Sequence, residues 1–221
     1  MALRKQSGEL PEGSVRLSES EAILFQWKNI SSWESLSDVW PLKYGISIAA
    51  VSSSLSAWYI NRCYRSMLKL GAHGRLVSYL PTVVIPAIAT SIYHQEKVLS
   101  DVLIMKSECP VCIQIRSSAI QAIFGGLYPA VLAPVAGFMI ATRHYTYDVP
   151  PITESPKETF KLWLKLTRRI QGFLLAAVCS QALLGAGLAF FQVKSIIKVN
   201  EKILSAEKSS LPPGHTYDDK L

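Results

Sequence analysis

The chain has little charge. Only 18% of its 221 residues are Asp, Glu, Lys or Arg, against about 25% in an ordinary soluble domain. Four stretches, 44–60, 76–93, 117–142 and 170–193, contain no Asp, Glu, Lys, Arg or His at all. That absence argues against proton relays and ion-coupled transport, which place ionisable groups at membrane depth. A Walker loop, GxGxxG, HExxH and a Ser-His-Asp arrangement are also missing, so nothing marks an enzyme. Residues 1–22 hold no apolar run that would serve as a secretory signal. Glu9, Glu12, Glu19 and Glu21 spoil a mitochondrial presequence, which is poor in acids. Internal targeting is then the route to an organelle. The four Cys and four His are scattered, whereas a zinc site needs about four converging ligands.

The residues that are present account for these gaps. Hydrophobic side chains make up 49% of the chain, and a membrane-spanning helix needs about 20 of them in sequence. The four uncharged stretches are therefore expected to be four transmembrane helices of an all-α polytopic membrane protein. The first is the least apolar, with Ser47, Ser52, Ser53, Ser54 and Ser56. Pro81, Pro86, Pro129 and Pro134 fall inside the second and third. Membrane helices tolerate proline because neighbouring groups satisfy the freed carbonyls, so kinks are expected there. Three units follow: a tail over 1–43 with an amphipathic interfacial helix, a four-helix domain over 44–200, and a flexible tail over 201–221.

The net charge of +7 is not spread evenly. The segments 61–75 and 143–169 hold ten Lys or Arg against three acids, and the remainder of the chain sums to zero. Charge confined to two loops on one side sets an orientation and does not suggest a nucleic-acid partner. Both termini and the loop 94–116 are expected on the opposite, less positive side. Arg62, Arg65, Arg143, Arg168 and Arg169 are candidates for contact with anionic lipid head groups such as those of cardiolipin.

Residues 18–40 read as one or two amphipathic helices. Ser18 and Glu21 have capping-box spacing. Ile23, Trp27, Ile30, Trp33, Leu36 and Val39 recur every three or four residues. Trp27, Trp33 and Trp40 suit a membrane interface, with a docking face for a partner as the alternative. Small residues, Ala122, Gly125, Gly126 and Ala130 on the third stretch and Gly185 and Gly187 on the fourth, allow close helix approach. Gln121 and Gln181 are suited to hydrogen bonds between helices. With Tyr128 they could instead line a path in a transporter or channel of an organellar membrane. Cys109-Pro110-Val111-Cys112 fits a disulfide, a redox pair or half of a zinc site. Asn29-Ile30-Ser31 is a glycosylation sequon, which only a secretory-pathway protein would use.

A family resemblance is carried by residues whose order and spacing act together. Cys109-x-x-Cys112-x-x-x-Arg116-Ser117 is followed by Gly125-Gly126-Leu127-Tyr128-Pro129-x-x-Leu132-Ala133 and then Ala141-x-Arg143. Upstream stand Asn61, Arg65 and Leu80-Pro81-x-x-x-Ile85-Pro86. Over about residues 45–200 the chain resembles the transmembrane protein 126 family, and the two cysteines resemble its A form more than its B form. The resemblance implies a multi-span protein of the mitochondrial inner membrane, without enzymatic activity or cofactor. It implies assistance to respiratory complex I assembly. The implied partners are other assembly factors and membrane-arm subunits, held by helix packing. In that setting the basic loops face the matrix, and the termini and 94–116 face the intermembrane space.

Overall fold

A computed structural model describes residues 17–106, 109–150 and 155–210. The described residues are helical throughout, without strands. Helix α1 spans Glu19–Ser31 and α2 spans Leu36–Met67. Helix α3 runs over Arg75–Leu103, α4 over Pro110–His144 and α5 over Pro156–Ser210. Local chemistry sets the first boundary. The Ser18 side chain accepts from the Glu21 backbone, and the Glu21 carboxylate accepts from the Ser18 backbone at 2.8 Å. Those bonds to Ser18 hold the Glu21 carboxyl below its ordinary pKa.

Helices α3, α4 and α5 are long and apolar enough to cross a membrane. The expectation of four spans therefore meets three. Helix α2 has the length, 32 residues, but its serines, Asp38 and basic end reduce its hydropathy. It packs against α3, α4 and α5. The outer faces are apolar, with Leu76, Val77, Leu175, Leu183 and Met139 all exposed, as lipid-facing side chains would be.

Helix ends lie well beyond the uncharged stretches. Residues 94–103 and 110–116 are helical, so the expected loop 94–116 shrinks to 104–109. The basic segments likewise supply helix ends to α2, α4 and α5. Charged residues end a span, but they do not end a helix. The tail over 201–221 is also helical as far as Ser210, and its remainder lies outside the described residues. So do residues 1–16.

The regularity of the helix differs from one proline to the next. α3 has a π-helical stretch over Leu80–Val84, and α4 has one over Ile123–Leu127 directly before Pro129. A π-turn absorbs one extra residue and is a common local distortion at functional sites. Pro134 lies within regular helix. A second π stretch in α3, Gln95–Leu99, has no proline in it.

Two apolar clusters occupy the two ends of the antiparallel bundle. The first joins Ile30, Val39, Leu42, Val98, Val102 and Ile196. The second joins Ile60, Tyr64, Leu68, Phe138, Ala141 and Leu166. Between them lies a layer of buried polar side chains.

Candidate functional site

The polar layer is built by α2, α3, α4 and α5. Gln121 projects from α4 and is buried. Its Nε2 lies within reach of the Ala49 carbonyl (2.9 Å), Ser52 Oγ (2.7 Å), Ser53 Oγ (3.1 Å) and Gln181 Oε1 (2.8 Å). An amide carries two N–H bonds, so it serves two of these four acceptors at a time. Gln181 Nε2 donates to the Ser52 carbonyl at 2.9 Å. Ser53 and Thr90 share a hydrogen bond at 3.1 Å, which brings in α3. Ser117 donates to the Gly185 carbonyl at 2.7 Å. Gln121 Oε1 has no partner. The two glutamines thus meet each other, while Tyr128 is placed beside Phe124, ring centroids 6.5 Å apart.

The small residues explain how these helices come so close. A Cβ on Gly126 would sit 2.7 Å from Val178 Cγ2 and 3.2 Å from its Cα. On Gly125 it would meet Gln181 at 2.8 Å, and on Gly185 the Ser117 carbonyl oxygen at 2.6 Å. Ala122 and Ala130 are half-buried in the same helix. Gly187 differs, because a Cβ there would meet nothing within 4 Å. Spacing identifies small residues, but it does not say which of them face a neighbour within the chain. Gly45 was not singled out by spacing. A Cβ there would be 2.5 Å from Gln192 Nε2.

A second amide lies nearer the first apolar cluster. Gln192 Nε2 donates to the Pro41 carbonyl at 3.2 Å, and its Oε1 pairs with His94 Nε2 at 3.1 Å. His94, which the sequence places only in a charged flank, is buried. At that end Asp38 is 3% exposed and is paired with Lys198 Nζ at 2.7 Å and with Lys202. Trp33 Nε1 also donates to it, at 3.5 Å. Hydrogen bonds from Lys198 and then Lys202 hold the Asp38 carboxyl far below the ordinary carboxylate range. Trp33 is thereby partly buried, while Trp27 and Trp40 are exposed. An outer pair joins α1 to the α3–α4 connection, where Glu19 holds Lys106 at 2.9 Å and raises its pKa.

Arg65 occupies the other end, where its guanidinium is bonded to the α2–α3 turn. It is 6% exposed. Its guanidinium donates to Ser78 Oγ (2.7 Å), the His73 carbonyl (2.8 Å), the Gly71 carbonyl (3.0 Å) and the Gly74 carbonyl (3.3 Å). The rigid fork of five N–H donors suits this closure of the α2–α3 turn. Gly74 has φ +56°, and a Cβ there would meet Ile140 Cδ1 at 2.8 Å, so glycine is required twice over. Arg62, Arg143, Arg168 and Arg169 are exposed.

Cys109 caps α4. Its sulfur accepts from the Cys112 backbone at 3.3 Å and from the Cys112 thiol at 2.7 Å. A disulfide bond would bring the sulfurs to about 2.0 Å. The Cys112 thiol, and then its backbone N–H, favour the Cys109 thiolate and lower its pKa.

A bundle with apolar outer faces, close-packed glycines and a buried polar layer is a polytopic integral membrane protein. The chain belongs to the transmembrane protein 126 family, whose model matches residues 19–206. It is 46% identical over 186 residues to transmembrane protein 126 of Drosophila melanogaster, covering 83% of each chain. It is also 26% identical over 158 residues to transmembrane protein 126A of Mus musculus, covering 71% of this chain and 78% of that one. The Rattus norvegicus 126A protein is similar at 25%. No solved structure matches.

Proposed function

We propose that this chain is a non-enzymatic assembly factor of the mitochondrial inner membrane that holds membrane-arm intermediates of respiratory complex I by helix packing. Family membership supports the reading. The observation that carries it is an open face on α5. Gly172 and Gly187 have nothing within 4 Å of a Cβ position. Leu175 and Leu183 between them are exposed, and Cys179 is too. These residues recur every three or four positions, so they share one helical face. The opposite face, with Gln181 and Gly185, is filled from within the chain. A client helix would use the open face, with α2 as a fourth, less apolar span. The exposed arginines of 61–75 and 143–169 would face the matrix and its anionic lipids, with both termini in the intermembrane space.

Two glycine variants separate folding from holding. Gly126→Leu should prevent α4 and α5 from closing. Gly187→Leu should fold normally and lose co-purifying complex I subunits in mild detergent. Disrupting the gene should lower assembled complex I on native gels while other respiratory complexes persist; unchanged complex I would overturn the proposal. Purified protein in liposomes should show no solute flux, which a transporter would.

A further inference from the structure

The turn between α2 and α3 borders an open cleft of about 640 Å³ whose lining includes Trp58, Arg62, Arg65, Arg75 and Tyr79. Three guanidinium groups converge on it. No carboxylate among the described residues forms an ion pair with any of them, and the segment 61–75 contains no acid. Arg65 is fixed by its bonds to the turn, so its position does not depend on a ligand. Arg62 stacks over the Trp58 ring at 5.4 Å, and Arg65 over Tyr79 at 5.5 Å. Each aromatic face thus orients a cation and supplies an amphipathic wall, as at membrane interfaces. Like charges held together without a counter-charge repel, and a bound anion relieves that repulsion. Beside Arg75 and Tyr79, the exposed Leu76 (83%), Val77 (69%) and Leu80 (59%) continue along α3 as an apolar surface.

We infer that this cleft binds the phosphodiester head group of an anionic phospholipid, with Arg62 and Arg75 as phosphate donors and Arg65 as the fixed charge behind them. The acyl chains run over Leu76, Val77 and Leu80. The site requires the bundle to be in a membrane, but not the assembly role proposed above, and its test is independent of complex I.

The test uses the full chain in mild detergent, with thermal unfolding followed during titration by phosphatidylglycerol, phosphatidylcholine or inorganic phosphate. Phosphatidylglycerol should raise the midpoint, while phosphatidylcholine and phosphate at the same concentration should not. Arg62→Gln and Arg75→Gln leave the Arg65 bonds intact and should each weaken phosphatidylglycerol binding about fivefold. Arg168→Gln and Arg169→Gln should leave it unchanged. Equal protection by phosphatidylcholine would overturn the site, and equal protection by inorganic phosphate would overturn the lipid assignment. Equal weakening by the Arg168 and Arg169 variants would also overturn it, because charge would then act diffusely and not through this cleft.

Discussion

The two ends of the bundle bury charge in opposite ways. At one end Asp38 is an anion almost closed off from solvent, matched by Lys198 and Lys202. At the other end Arg65 is a cation just as enclosed, but it is matched by three carbonyls and a hydroxyl. A carboxylate only accepts, so its partners must be donors, and the strong ones are cations. A guanidinium only donates, so neutral carbonyls can satisfy it. The anion at one end is therefore more than matched, by two lysines, whereas the cation at the other end has no charged partner. Arg65 therefore adds one full unit to the excess of +7, because its burial needs no acid.

That contrast is open to direct tests. Arg65→Met should have the largest effect, since it strips several carbonyls of their donor at once. A loss of about 3 kcal/mol is expected in thermal or denaturant unfolding. Arg65→Lys should recover part of it, because a compact ammonium cannot span four acceptors. An unchanged midpoint in Arg65→Met would refute the closing role. Asp38→Asn should destabilise less, because Lys198 and Lys202 are half exposed and can return their charge to water.

The Asp38 end should also respond to pH and salt. Its carboxyl is held below the ordinary carboxylate range. The stability it contributes is then present above that range and lost as pH falls through the lowered pKa. Asp38→Asn should flatten the acid side of the stability profile. Salt should weaken the Asp38 end and spare the Arg65 end, because partly exposed ion pairs are screened and bonds to carbonyls are not. Between the ends, Gln121→Leu should cost only about 0.6 kcal/mol, since it also removes an oxygen without a partner. The smallest effect is expected outside the bundle. Mild oxidation should join Cys109 to Cys112 in the wild type, and Cys112→Ser should prevent that bond and leave stability unchanged, read by alkylation and mass.

How legible these features were depends on whether their signal was local. The sequence revealed the apolar segments of α3, α4 and α5, and it singled out Gln121 and Gln181 as amides suited to bonds between helices, but not that they meet each other. Gly125, Gly126 and Gly185 followed from spacing. Gly187 has the same spacing but not the same neighbour, since small size permits an approach without requiring one. The inward bonds of Arg65 are not legible in the sequence, because charge at a span boundary looks alike whether it points to lipid or inward. The nearby Gly71 and Gly74, both at positive φ, were the available sign of a tight turn with carbonyls to satisfy. Asp38 meets Lys198 and Lys202 across more than 150 positions of chain, and no local pattern carries such a pairing. α2 carries two opposed signals. Its serines lower its hydropathy, yet Ser52 and Ser53 are the groups through which it joins the polar layer.

α5, like α2, differs from α3 and α4 in continuity. α3 and α4 each contain π-helical turns, whereas α5 is a single α-helix of 55 residues. At 1.5 Å per residue it is about 80 Å long, more than twice the hydrocarbon thickness of about 30 Å. Mechanically it is a long stiff rod beside two jointed ones. A force on its emergent end, where Lys198 and Lys202 sit, is transmitted along the axis to the Gly185 contact without a hinge to absorb it. Bending is left to α3 and α4, so a load on α5 would flex the helices around it before its own surface changed shape.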